Sequence, residues 1–175
     1  MTRQMRLRCL LPLLLLMTLP GVARADEAAE VQRLMRSGDL AAALQRAERA
    51  TAAEPRNAKL RFLQGVILLD QKHDGPAMDV FQRLAEEFPE LPEPYNNIAL
   101  LHARAGRLEE ARQALETALR NDPGMLAARQ NLGDVLLRLA LQAWQKVADA
   151  TPADAALQRK LRMARELLGT PPLSR

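Results

Sequence analysis

Three prolines, Pro55, Pro89 and Pro123, stand 34 residues apart, and the apolar pattern between them repeats with the same period. Such a period marks copies of one supersecondary unit that cannot bury its apolar face alone, so neighbouring copies must stack. The clearest unit is Pro92 to Met125. Tyr95, Ile98, Ala99 and His102 fall at i, i+3, i+4 and i+7, one stripe of a 3.6-residue helix, and Leu108, Ala111, Leu115, Ala118 and Leu119 form a second stripe. Ala105-Gly106-Arg107 separates them. Gly106 can take the left-handed backbone that ends the first helix, and Asp122-Pro123 ends the second, because a residue before proline avoids the α region. The unit is a helical hairpin.

Two earlier stretches repeat it. Ala58 to Leu91 has Gly65, Leu68, Ala77, Phe81, Leu84 and Pro89 in register, with Lys72 where the turn glycine would sit; the copy before keeps Leu34, Gly38, Ala43, Ala47, Ala50 and Pro55. The recurring places are small because two helices touch there and bulk would force them apart. In this pattern the chain resembles the tetratricopeptide repeat family. Tyr95 stands at the early aromatic, Ile98 and Ala99 at the Leu-Gly pair, Gly106 at the turn, Ala111, Leu115 and Ala118 along the second helix, and Pro123 at the end. The resemblance implies an all-α fold, a right-handed superhelical stack of helical hairpins, in one domain over residues 26–168 with repeats at about 24–57, 58–91 and 92–125.

A fourth unit departs from the period. Arg129-Gln130-Asn131-Leu132-Gly133-Asp134 opens it in register, yet Ala140, Trp144, Val147 and Pro152 match the second-helix places five residues too early. The missing five are the turn. Leu132, Val135, Leu136, Leu139, Ala140, Ala143, Trp144 and Val147 keep steps of three and four, and Val135 to Leu141 holds no glycine, proline or cap. One continuous helix is expected from about Leu126 to about Ala150, roughly 37 Å long, within a shortened repeat at 126–154. Leu137 and Leu141 extend an apolar strip toward Trp144. Either the last helix, 154–168, packs over this strip with Leu157, Leu161, Ala164, Leu167 and Leu168 as a cap, or part of it pairs with a client or a second copy in a homodimer. Residues 169–175, with Pro171-Pro172, read as a disordered tail.

At the other end Arg3, Arg6 and Arg8 precede an apolar run from Cys9 to Leu19, and Ala23-Arg24-Ala25 offers a small-x-small cleavage site. This reads as a signal peptide over residues 1–25, cleaved after Ala25, giving a periplasmic or secreted bacterial protein that meets the membrane only transiently; the alternative is that the segment is retained as an anchor. The run is short for a bilayer span, which needs about 20 apolar residues. Cleavage removes Cys9, the single cysteine, and with it disulfide, thiolate and cysteine-metal chemistry. The formal +4 resides wholly in Arg3, Arg6, Arg8 and Arg24, so from Asp26 onward there are 21 basic and 21 acidic residues. Overall basicity therefore offers no case for nucleic acid, and no basic block with interleaved aromatics supplies one.

No catalytic constellation emerges. Ser37 and Ser174 are the only serines, the glycines are scattered instead of forming a phosphate loop, and Glu86-Glu87 and Glu109-Glu110 are helix neighbours that point apart. His73 and His102 lack companions at ligand spacing, and a packed His102 is the simpler reading. Neither a cofactor nor a metal is implied. The family resemblance instead implies a groove, lined by the first helices of each hairpin, that receives a protein or peptide client. Carried over place by place, its lining is Lys59, Phe62, Val66, Leu69 and Asp70; then Glu93, Asn96, Asn97, Leu100, Ala103 and Arg104; then Gln130, Asn131, Asp134 and Arg138. The asparagines suit a peptide backbone, and Arg104 with Arg138 suits a carboxylate. The relatives that clamp a chaperone C-terminus use lysines and asparagines at set places, where this chain has Ala28, Gln32 and Leu63. That specificity is not carried over.

The expected function is a non-enzymatic scaffold that assists assembly of an envelope complex. The alternatives are a structural homo-oligomer joined through the long helix (Leu137, Leu141, Trp144) and a non-catalytic subunit of a cytochrome-assembly or wall-remodelling enzyme. The register makes one prediction: Ala111→Leu unfolds the central repeat, seen as a loss of helical circular dichroism, and a variant that keeps full helicity refutes it.

Overall fold

A computed structural model describes residues 26–151 and 154–169. The leader expected over residues 1–25 and the tail beyond Gly169 lie outside them. The described residues form eight helices: α1 Glu27–Arg36, α2 Leu40–Ala53, α3 Ala58–Asp70, α4 Asp74–Glu87, α5 Pro92–Arg104, α6 Leu108–Asn121, α7 Leu126–Ala150 and α8 Ala155–Leu168. Each packs on the next, and α1 also meets α3 as α5 meets α7, so the odd helices form one layer of the stack and the even helices the other.

The three hairpin turns are chemically the same device. After α1 the Asp39 amide donates to the Leu34 carbonyl and the Gly38 amide to that of Met35; after α3, His73 to Leu68 and Lys72 to Leu69; after α5, Arg107 to His102 and Gly106 to Ala103. This paired pattern satisfies the last carbonyls of a helix but needs one left-handed residue. Gly38 and Gly106 supply it at φ +80° and +76°, and Lys72 supplies it at +64° with a Cβ present. Between hairpins a second device recurs. The amides of Asn57, Leu91 and Met125 donate to the carbonyls of Glu54, Phe88 and Asp122, closing a turn around the period prolines. Asp154 donates to Thr151 in the same way, and this acceptor stands 29 residues after Asp122 and not 34.

Helices meet at the small places that repeat. Ala43, Ala47, Ala77, Ala99, Ala111 and Ala118 are fully buried. At Gly65 the Phe81 ring lies where a Cβ would go, 2.6 Å from its Cε1, so no side chain fits between α3 and α4. Polar pins add to this packing. Arg61, almost fully buried, donates to both carboxylate oxygens of Glu87 at 2.6 and 2.9 Å, tying α3 to the end of α4, and the guanidinium holds that carboxyl below its ordinary pKa. The fully buried Asn131 donates its amide to the Asn96 Oδ1 at 2.8 Å, joining α7 to α5.

α7 runs unbroken for 25 residues. Its first half packs on α6 and α5 through Ala128, Leu132, Val135 and Leu139, within the cluster built by Ala111, Leu115 and Ala118. Its second half belongs to a separate cluster, in which Leu141, Trp144 and Ala148 meet Leu157 and Leu161 of α8. The missing turn has converted the fourth hairpin into a rod, and α8 folds back on its far end.

Two substitutions test these devices. Lys72→Gly removes the strained left-handed lysine and raises stability by about 1 kcal/mol in urea unfolding. Asn131→Ala leaves the buried Asn96 amide oxygen unpaired and costs roughly 1–3 kcal/mol.

Candidate functional site

The odd-helix layer carries the expected groove residues, but in two classes. Lys59, Glu93, Arg104 and Gln130 are exposed, and Phe62, Val66, Asp70, Asp134 and Arg138 are half-buried. These form the accessible face of α3, α5 and α7. Asn96, Asn97, Leu100 and Asn131 are buried, as are Leu69 and Ala103, and here the sequence expectation is corrected. Leu100 packs in the core with Leu68, Leu69 and Leu101. Asn131 reaches Asn96, and the Asn97 amide donates to the Glu93 carbonyl one turn back, while the Asn96 Nδ2 and the Asn97 Oδ1 are buried without a hydrogen-bond partner among the described residues. The two arginines are also unlike each other. Arg104 donates to Asp74 at 3.0 Å across the neighbouring hairpin, while the Arg138 Nε is shielded from water and has no hydrogen-bond partner among the described residues.

Lys59 and Phe62 share a cavity of 340 Å³ where α3 and α5 begin. Ala58, Phe62, Leu84, Leu91 and Pro94 form its walls, and Lys59 and Glu93 contribute the charged groups. Phe62 is oriented by Phe81, with ring centres 5.7 Å apart and planes tilted by 53°, and Phe81 is itself fixed over Gly65. Lys59 reaches Asp26 at 3.6 Å in an exposed pair, a contact weak enough to exchange for another anion. The arrangement suits one bulky apolar side chain on a segment whose polar groups meet Lys59 and Glu93.

A larger cleft was not anticipated. On the side of α4 and α6, a furrow of 580 Å³ runs over Ala85, Tyr95, Ile98 and Ala114, bordered by Gln82, Glu86, Glu110, Gln113 and Thr117. His102 lies in its wall, half-buried. Burial and then the Arg107 charge lower its pKa below the ordinary histidine value, and Arg107 Nε donates to its Nδ1 at 2.9 Å. The small residues Ala85 and Ala114 were the available signal, since they leave a furrow where larger side chains would fill it. Among the described residues no group of three or more His, Cys, Asp or Glu is placed to hold a metal ion.

Leu141 and Trp144, weighed as a partner or dimer surface, are partly buried beneath α8, and the Lys160 ammonium lies 5.8 Å from the centre of the Trp144 ring. Of the two occupants open for this strip, the last helix is the one that packs on it. The last helix covers both residues, and only Leu137, half-buried, stays outside that contact.

Comparison with known proteins follows the same architecture. Residues 28–92 and 92–125 match tetratricopeptide repeat families. Among solved structures the chain is similar to the first such domain of Spaghetti (RPAP3) bound to an HSP90 peptide, at 18% identity and a TM-score of 0.61, over 65% of this chain and 90% of that one. It is also similar to MamA, at 18% identity and 0.58, over 79% and 84% of the two chains. MamA 41-end from Desulfovibrio magneticus RS-1 aligns at 18% identity and 0.56, over 81% of this chain and 73% of that one. Comparison with functionally curated proteins finds no match. With more than half of its length matched by these repeats, the chain belongs to the tetratricopeptide repeat family.

Proposed function

We propose that this protein is a periplasmic scaffold that binds an extended protein segment along α3, α5 and α7 and assists assembly of an envelope complex, without chemistry of its own. The observation that carries the reading is the apolar cavity walled by Phe62, Leu84, Leu91 and Pro94 where α3 and α5 begin, with Phe62 oriented by Phe81. Tetratricopeptide repeats are typically non-catalytic interaction modules, and the similar RPAP3 domain is described with a bound HSP90 peptide. Export rests on the leader pattern at residues 1–25, and the envelope role follows from the compartment.

The anchor is an apolar side chain in this cavity. Arg104 and Arg138 lie further along the same layer, Arg104 held lightly by Asp74 and Arg138 half-buried. They attract acidic groups of the same segment. Leu100 is buried and cannot report on the groove.

A photoreactive residue in place of Phe62, compared in cells with one at Gln113 in the outer furrow, tests the site. A distinct envelope protein is captured at position 62, and Ala58→Trp, which fills the cavity, abolishes that capture. Capture at position 113 alone refutes the assignment. Arg104→Ala changes stability by less than about 0.5 kcal/mol, because its ion pair is exposed, yet reduces capture at position 62; unchanged capture removes Arg104 from the site.

A further inference from the structure

Six of the sixteen cations between residues 26 and 151 sit in ion pairs within the fold, the exposed Lys59–Asp26 contact among them. Arg33 pairs with Glu30, Arg46 with Glu27, Arg61 with Glu87, Arg104 with Asp74, and Arg112 with Glu109 and Glu116. α8 is different. It carries Arg159, Lys160, Arg162 and Arg165 against the single acid Glu166. Arg165 donates to Gln145, while Arg159, Lys160 and Arg162 meet no carboxylate among the described residues.

The same helix exposes apolar side chains. Met163 is 58% exposed and Val147 of α7 is 51% exposed. The two lie on one face, for a geometric reason. Trp144 and Ala148 of α7 meet Leu157 and Leu161 of α8, and Gln145 meets Arg165, so the two helices run antiparallel. Val147 immediately precedes the packed Ala148, and Met163 immediately precedes the packed Ala164. One residue back is a rotation of about 100° in each helix. Antiparallel neighbours are related by a two-fold axis normal to the pair, and equal rotations therefore bring both strips to the same side. Ala143 and Leu136 extend the strip along α7, both exposed. Arg159 and Lys160 stand one turn before Met163, on either side of it.

An exposed apolar strip edged by unneutralised cations has the chemistry of an interfacial membrane contact, in which apolar side chains enter the headgroup boundary and the long cationic ones reach lipid phosphates. Among the described residues no helix is long and apolar enough to cross a bilayer. The contact is therefore one that lies on the surface. A second copy is the poorer occupant, because a two-fold contact through this face sets Arg159, Lys160 and Arg162 against their own copies. We infer that the exposed face of the α7–α8 hairpin docks on an anionic lipid bilayer, with Met163 and Val147 entering the interface and Arg159, Lys160 and Arg162 engaging lipid phosphates.

The test reads position 163 itself, so that any binding by residues 1–25 does not confuse it. An environment-sensitive dye is placed on Met163→Cys in the full chain carrying Cys9→Ser, with the same dye on Glu48→Cys of α2 as control. Phosphatidylglycerol-containing vesicles shift the dye at position 163 to the blue and leave position 48 unchanged, neutral phosphatidylcholine vesicles shift neither, and added salt reverses the effect. Arg159→Gln and Arg162→Gln each weaken the response about five-fold, with circular dichroism unchanged. An unshifted dye at position 163 with anionic vesicles overturns the proposal, as does an equal shift with neutral ones. A shift produced by poly-glutamate but not by vesicles assigns the face to an acidic protein instead and also overturns it.

Discussion

Close contact between helices at alanine and glycine is the constraint on which this structure depends. Ala77, Ala99, Ala111 and Ala118 have no surface left to water, and Phe81 occupies the space a side chain on Gly65 would need. A core of this kind has few large side chains to absorb error, since one Trp, one Tyr and three Phe serve the whole chain. Its stability comes from many short-range contacts in place of a few aromatic anchors. Each hairpin must then be closed at a defined angle, and the recurring turn hydrogen bonds provide that angle. The hairpins stack because none can cover its own face.

The fourth unit shows what the turn contributes. Its opening residues, its last helical turn and the Thr151–Asp154 hydrogen bond correspond to those of the other repeats, and only the five turn residues are missing. Without them the backbone has no reason to reverse, and α7 continues through positions where the other repeats fold back. The second half of that helix then needs a new partner. α8 supplies it, by covering Leu141 and Trp144.

Much of the fold was legible in the chain because helix period, turn glycine and proline spacing are local signals. The straight α7 was legible for the same reason: Val135 to Leu141 holds nothing that stops a helix. The site was harder. Lys59 and Phe62 could be assigned from their places in the repeat, but the rest of their cavity, Leu84, Leu91 and Pro94, reads locally as core and connector. Asn96 and Asn131 are polar on inner helices and so resemble groove residues. Only the rotation of one repeat on the next decides that they face each other. Likewise the strip around Trp144 is apolar whatever covers it, and the choice of α8 depends on a contact between distant stretches of chain.

A helix shared by two separately packed clusters acts as a rotational gauge. The stack grips α7 through Ala128 to Leu139, the terminal hairpin grips it through Leu141 to Ala148, and little beyond the helical backbone joins the two grips. The azimuth of the terminal hairpin about the repeat stack is consequently a counted quantity. One residue gained or lost between the grips turns it by about 100° and moves it by about 1.5 Å, so a single-codon change there redirects the end of the molecule while each cluster keeps its own contacts.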